Sequence, residues 1–431
     1  MCVSADGVDE SLPVFAIVYH SVEDDPPLHS IAAAAKGVCR LLWVLPIDRR
    51  DSRSALRLLR AAGDITGEIL DVSGLSALDA ADVLRGYAPR AITCLADTTI
   101  VWTAQIAELL GLKFHSIDVA ERLTDKLKQR MALSASDLRT PPFWDADDLA
   151  NADAISAVAR STTYPLVIKP RSGSSSKDTE PIGSEEQLRA AISNREPGRM
   201  LVEGYIPDPT RPCLGAMSAP YVSVELLASA GTISVLEVTG KPPLAPPFRE
   251  TGNFVPADIT EEQRAEFVDV AIKATRAIGV TDGVLHVEIK CTDDGPVVIE
   301  INGRPGGGRI RDFIQRAHGI DTIALMMRVA LGEHIAYTDL PLPSDVLLFL
   351  VVPPDISLTH VSAVDGLEEV RQIIGVEHVE PGPIGAGDEF SWRDGTMSHV
   401  AQITAVTSDH AEMWRLREEV LNTIRIEGTR T

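Results

Sequence analysis

The sequence predicts an α/β chain, with a parallel sheet flanked by helices at its N-terminus and a mixed α+β body that builds a cleft. Three features carry that reading. Short β-rich runs alternate with amphipathic runs over the first quarter of the chain; a buried strand, PLVIKP, opens into a serine-rich loop; and two alternating strands, GVLHVEIK and PVVIEINGR, flank Asp293-Asp294-Gly295.

Residues 1–117 read as PVFAIVYH, SIAAAAKGVCR, LLWVLP, SALRLLRAA, EILDV, AITCLA and TIVWTAQIAELL. Strands separated by helix-length amphipathic runs imply a parallel sheet with helices on its faces. No GxGxxG follows the first strand, so this is a Rossmann-like supporting layer and not a dinucleotide site.

The stretch SIDVAERLTDKLKQRMALSASDLRTPPF, which leads from Ser116 into residues 118–200, reads as one helix with Val119, Leu123, Leu127 and Met131 on its apolar stripe and a stop at Pro141-Pro142. Lys126 and Arg130 are four apart and share a face. Taken alone, that pair reads as a solvated face. A strand then ends at Lys169-Pro170, and Ser172 to Lys177 follow around Gly173. Small residues after a strand suit a phosphate-binding nest, although a serine-glycine run can also be a flexible surface loop. The Walker pattern is absent.

RMLVEGYIP leads from Arg199 into residues 201–338, which hold a hairpin of YVSVELLAS with ISVLEVTG, the proline-rich KPPLAPPFRETGNFVPADIT, and a helix, TEEQRAEFVDVAIKATRAIG, leading into the Asp-Asp-Gly hairpin. The proline-rich segment is too long for a tight turn, and such loops are functional or disordered. With the register centred on Asp294, Glu288 faces Glu300 and His286 faces Asn302, while Leu285, Val287, Ile289, Val297, Ile299 and Ile301 turn to the core.

Facing acids across a ladder repel, so something must compensate. A hard divalent cation does so, because Mg²⁺ takes carboxylate and amide oxygens and keeps positions for water or phosphate. The alternatives are that one acid is protonated, or that Lys290 and Arg304 neutralise the pair. The following run, Gly306, Gly307 and Gly308, lets backbone approach a ligand, and Arg304 and Arg309 can meet its negative oxygens.

Residues 339–431 read as a small α/β unit, with strands VLLFLVV and HVAQITAVT and the helix HAEMWRLREEVLNTI, expected to close over the cleft. Met413, Leu416, Val420 and Ile424 form its core stripe. His360, His378 and His399 read as surface or packing residues.

A chain of 431 residues exceeds one ordinary core, and its formal net charge of -22 leaves no basic surplus for nucleic acid or an anionic membrane. Cys2, Cys39, Cys94, Cys213 and Cys291 form no CxxC pair and are expected as free thiols. The acidic N-terminus lacks a signal peptide's basic region, Cys2 is not read as a lipidation site, and no apolar run spans a membrane. The expectation is a soluble, cytoplasmic protein.

The order and spacing of TDKLKQRMAL, PLVIKPRSGSSSK, VEGYI, SVE, RETGNFVPA and HVEIK to VIEINGRPGGG resemble the ATP-grasp ligase superfamily, and within it the bacterial L-amino acid ligases that make dipeptides. The resemblance implies an ATP-grasp fold with a preATP-grasp domain at 1–117, a small subdomain with the phosphate loop at 118–200, a core at 201–338 and a C-terminal lid at 339–431. It makes Lys126 and Lys169 ATP contacts, with Ser174, Ser175 and Ser176 over the phosphates, and Glu203, Tyr205 and Ile206 at the adenine edge. Glu288, Glu300 and Asn302 match ligands of Mg²⁺, for which Mn²⁺ can substitute. Arg304 would steady a phosphorylated intermediate, and Arg309 with Gly307 and Gly308 would grip a substrate carboxylate.

Two departures stand out. Lys177-Asp178 replace the glycine and aliphatic residue that usually end the phosphate loop, and Asn253 stands where a histidine is frequent, leaving Glu250 or Asn253 for the role at the amine. The implied activity joins a carboxylic acid to an amine, both amino acids or similar small molecules, through an acyl phosphate with release of ADP and phosphate; a homodimer is compatible with it. The competing readings are a carboxylase relative acting on biotin or a purine, and a nucleotide-binding scaffold without turnover.

Overall fold

The computed structural model describes residues 11–20, 26–45, 55–59, 67–149, 151–196, 198–215 and 217–430. The N-terminal sequence features and Cys2 lie outside the described residues.

Strands β1 (Val14–Val18), β2 (Arg40–Leu45), β3 (Glu68–Asp71) and β4 (Ala91–Cys94) form a parallel sheet in the order β3-β2-β1-β4. Strands β1, β2 and β4 are apolar on both sides, as a sheet covered on both faces requires, while the edge strand β3 buries only Leu70. Phe15, Ile17 and Trp43 pack in one cluster and Ala16, Val18, Leu42 and Val44 in another.

The stretch read as one helix is two, Ile117–Thr124 and Lys126–Ser134. Asp125 lies between them with extended backbone, and its carboxylate accepts from the Leu127 and Lys128 N–H groups as an N-cap. The break rotates the second helix, so the expected stripe fails at Met131, which is exposed, while Gln129 and Arg130 are buried. The Gln129 amide exchanges hydrogen bonds of 2.8 and 2.9 Å with the carbonyl and N–H of Ile301.

A four-stranded sheet follows, β5 (Phe143–Asp145), β6 (Leu166–Pro170), β7 (Glu180–Ile182) and β8 (Met200–Gly204), in the order β5-β8-β6-β7. The largest sheet contains β9 (Tyr221–Ser229), β10 (Thr232–Gly240), β11 (Gly252–Val255), β12 (Gly283–Lys290), β13 (Val297–Asn302), β14 (Val346–Val352), β16 (Val376–Pro381) and β17 (Ala401–Thr407). Their order is β13-β12-β9-β10-β11-β14-β17-β16, so strands of the C-terminal segment extend the sheet that carries the carboxylate hairpin. β15 (Leu358–Asp365) and β18 (Arg425–Arg430) pair separately. The helix His410–Thr423 buries Met413, Leu416 and Val420, and Ile424 just beyond it is also buried.

Strand alternation makes the main sheet two-sided. Val222, Val224, Leu226, Leu285, Val287, Ile289 and Ile301 join one apolar core, and Tyr221, Ser223, Glu225, His286, Glu288 and Lys290 point the other way. The hairpin has the expected pairs Glu288 with Glu300 and His286 with Asn302. A bulge beyond Glu288 then shifts the register, placing Val298 in the core and Ile299 on the cleft wall, contrary to the straight alternation expected.

Cys213 and Cys291 are joined by a disulfide rather than being free thiols, 78 residues apart in sequence. The segment before β9 returns to the end of β12, a proximity that sequence spacing does not reveal. Among the described residues no helix is long and apolar enough to cross a membrane.

Candidate active site

One cleft of about 2490 Å³ lies between the two antiparallel sheets and is lined by Lys126, Lys169, Ser174 to Ser176, Glu203, Tyr205, Ile206, Glu250, Asn253, Glu288, Glu300, Asn302, Arg304 and Gly307 to Arg309. The residues singled out in the sequence thus share one cavity.

The floor answers the repulsion between the facing acids through His286 and Lys126, while Lys290 is engaged elsewhere. His286 Nε2 is 3.4 Å from Glu288, and Lys126 Nζ is 3.0 Å from Glu300. His286 Nδ1 sits 2.8 and 3.0 Å from the buried Glu225 carboxylate. Burial alone would lower the imidazole, but Glu225 and Glu288 push it up to about 9. Burial alone would raise the Glu288 carboxyl, but His286, Lys241 and Lys126 hold it down at about 2. Lys290 instead bonds the Ile206 carbonyl at 2.8 Å and Asp208, and lies over the Tyr205 ring.

Asn302 is buried, and its amide makes no hydrogen bond among the described residues. An amide beside two facing carboxylates fits a hard cation that brings water and phosphate oxygens of its own. Among the described residues no three His, Cys, Asp or Glu side chains form a metal cage, so this set needs oxygens from a ligand.

Cations line the wall formed by the β5–β8 sheet and the serine loop. Lys169 and Arg130, both buried, hold Glu203 at 2.6 and 2.8 Å. Burial alone would raise Glu203, yet these two cations keep it at about 2. Arg130 and Lys126 are therefore not a solvated pair. Lys126 donates to the Gly173 carbonyl at 2.6 Å, tying the serine loop to the hairpin that carries Glu288 and Glu300. Ser175, Ser176 and Asp178 have φ values of 60°, 56° and 50°, so consecutive left-handed residues give the loop a nest-like curvature.

The opposite end of the cleft is built on Lys241, just beyond β10. Lys241 is buried and bonds Glu250 at 3.1 Å and the Asn253 carbonyl oxygen at 2.7 Å. Glu250 also accepts from Tyr221 Oη at 2.9 Å on the same oxygen, Oε1. The Asn253 amide donates to the Gly308 carbonyl at 2.9 Å, and a Cβ on Gly308 would fall 2.2 Å from that amide nitrogen. Only glycine lets this backbone pass so close.

Arg304 Nε is 2.7 Å from Asp97, which precedes the helix Ile100–Leu110 of the first domain. Arg309 has φ 67°, stands before the helix Ile310–His318 and pairs with Glu380 of β16 at 3.1 Å. Sequence reasoning missed Asp97, Tyr221, Glu225 and Lys241. Lys241 had a signal, because a lysine at a strand end before proline repeats the pattern at Lys169-Pro170.

Comparisons with known proteins agree on this region. Residues 162–312 match the model of the ATP-grasp domain. Carnosine synthase 1 of Homo sapiens is 36% identical over 110 residues, 25% of this chain and 13% of that protein. The alanine–anticapsin ligase of Bacillus subtilis is 23% identical over 289 residues, 62% of this chain and 57% of that one. The chain spans less than two thirds of the length of the sequence relatives it matches. The crystal structure of an L-amino acid ligase from Bacillus licheniformis superposes with a TM-score of 0.71 at 20% identity, covering 97% of this chain and 99% of that one. Residues 162–312 are therefore an ATP-grasp domain, set in a mixed α/β ATP-grasp fold that extends along nearly the whole chain.

Proposed function

We propose that this protein is an ATP-dependent ligase that joins a carboxylic acid to an amine, with amino acids or close analogues as both partners. The observation that carries the reading is Glu288 facing Glu300 beside the buried Asn302, whose amide has no hydrogen bond among the described residues, on the floor of a cleft whose wall holds Lys126, Lys169 and the serine loop. The carnosine synthases and the alanine–anticapsin ligase bear names of the same reaction class.

In the proposed reaction a substrate carboxylate oxygen attacks the γ-phosphorus of ATP, and the bond to the β-phosphate oxygen breaks to release ADP. The amine nitrogen then attacks the acyl carbon, and inorganic phosphate leaves with the bonding pair as the nitrogen gives up its proton. Phosphoryl transfer of this kind needs positioning and charge neutralisation more than a covalent enzyme group. Glu288, Glu300 and Asn302 would hold Mg²⁺, whose contribution when bound is to neutralise phosphate charge. Lys126, Lys169 and the nest at Ser174 to Ser176 orient the phosphates, and Tyr205 and Ile206 flank the base. Arg304 meets the charge developing on the acyl phosphate. Glu250 offers Oε2, which accepts no hydrogen bond among the described residues, to the substrate ammonium, and Arg309 offers its guanidinium to a substrate carboxylate. A reaction that spends ATP on amino acids fits a cytoplasmic setting.

Phosphate release measured over a matrix of amino acids, singly and in pairs, with mass analysis of the products, tests the reading. ADP, phosphate and an amide are expected together. AMP with pyrophosphate as products would remove the acyl-phosphate route.

A further inference from the structure

The phosphate loop and the substrate loop meet on one short segment of the C-terminal region, Trp392–Met397. Arg393 accepts at its carbonyl from the Asp178 N–H at 2.9 Å, and its guanidinium pairs with Glu180 at 3.0 Å. The Thr396 N–H donates to the Ser175 carbonyl at 2.8 Å. On its other side, Thr396 Oγ1 accepts from the Glu250 N–H at 3.0 Å.

Gly395 makes that meeting sterically possible. Its φ is 70° and ψ is -147°, a conformation nearly restricted to glycine, and an added Cβ would lie 2.0 Å from the Ser175 oxygen and 2.8 Å from the Lys177 nitrogen. The segment thus follows the closed course of the phosphate loop closely. The same loop is held from below by Lys126.

Resting on the ligase reading above, we infer that Thr396 is a positioning residue that sets the substrate loop against the phosphate loop, so that Glu250 is aligned only while the phosphate loop is down. Glu250 in turn holds Lys241, and Lys241 holds Asn253. A loop ordered by nucleotide phosphates therefore hands its position through Thr396 to the residues that face the amine. By reciprocity of coupled binding, a correctly seated amine substrate then strengthens nucleotide binding. A Thr396 that merely packed would stabilise both loops without passing a signal between them.

Amide hydrogen exchange of the full-length protein, with and without MgADP as the probe, separates these cases. In wild type, MgADP is expected to slow exchange roughly tenfold both at 172–179 and at 248–252. In Thr396→Val, which keeps the N–H and loses the oxygen acceptor, protection at 172–179 stays and protection at 248–252 disappears. Thr396→Ser restores it. Gly395→Ala, which forces the loop away, loses protection at 248–252 as well, and carries the test with Thr396→Ser if the valine variant does not fold. Protection of 248–252 in Thr396→Val or Gly395→Ala equal to wild type overturns the inference, as does wild type protected at 172–179 alone. MgADP protecting neither segment in wild type overturns the nucleotide reading itself, and the inference with it.

Discussion

Glu288 and Glu300 face each other across the β12–β13 ladder, and each has its own cation, His286 for the first and Lys126 for the second. The pair is therefore compensated from both flanks before any ligand arrives. Glu300→Gln removes one carboxylate of the proposed metal set and weakens the tie to Lys126. Turnover should fall by about 10²–10³-fold, while the thermal midpoint moves only slightly, because a partly exposed ion pair contributes about 1 kcal/mol or less. Phosphate release at saturating Mg²⁺, beside a melting curve, checks both; near-normal turnover in the variant ends the metal assignment.

Glu203 is a structural anion with two buried cations on it. Removing one member of such a group typically costs about 3–5 kcal/mol, so Glu203→Gln should melt well below wild type at neutral pH. Its folded value near 2 lies below the ordinary 4.5, so its stabilisation is full above that ordinary value and is lost as pH falls from there through 2. The gap in melting temperature between wild type and variant should thus be constant from pH 7 to 5 and narrow below. A gap that widens on acidification contradicts this.

Asp97 stands just before the helix Ile100–Leu110 and holds the Arg304 guanidinium at 2.7 Å, both residues lining the cleft. Arg304→Lys keeps the charge and loses the planar fork, so it should lower kcat more than it raises KM. Asp97→Asn should move the same parameter in the same direction by a smaller factor. Because both act on one group, the double variant should be little worse than Arg304→Lys alone. Strictly multiplicative kinetics would separate the two residues.

Arg309 already has an acidic partner, Glu380, so a substrate carboxylate must compete for it. Arg309→Ala should raise the KM of one amino acid by about tenfold or more, and Glu380→Gln should lower it or leave it unchanged. An amidated analogue should be a poorer substrate than the free acid with wild type and lose that disadvantage with Arg309→Ala. If wild type treats the amide and the acid alike, Arg309 holds no carboxylate.

The hairpin at Asp293-Asp294-Gly295 was legible because a turn glycine and a period of two determine which side chains meet, and Glu288 does face Glu300. The bulge that turns Ile299 outward leaves no mark in that alternation. The helix after Ser116 was misread for a local reason: Asp125 can serve as an N-cap inside an otherwise continuous apolar pattern, and the rotation it causes brings Arg130 inward. Arg130 reaches Glu203 across 73 positions and Arg304 reaches Asp97 across 207, and no spacing rule encodes either. Cys213 and Cys291 were hidden in the same way. The residues proposed for nucleotide and metal were therefore readable as a set that shares one cleft, whereas the partners that orient them depend on the assembled fold.

The pairing of Lys126, Lys169, Lys241, Arg304 and Arg309 with Glu300, Glu203, Glu250, Asp97 and Glu380 bears on how fast ligands arrive. Each of these five positive charges is matched at short range, so the field felt farther out is dominated by the formal net charge of -22. An anionic nucleotide approaches against that field and gains attraction only after entry. Raising ionic strength shortens the reach of the repulsion to about 10 Å at 0.1 M, so moderate salt should accelerate nucleotide association, the reverse of what a basic phosphate-binding surface shows.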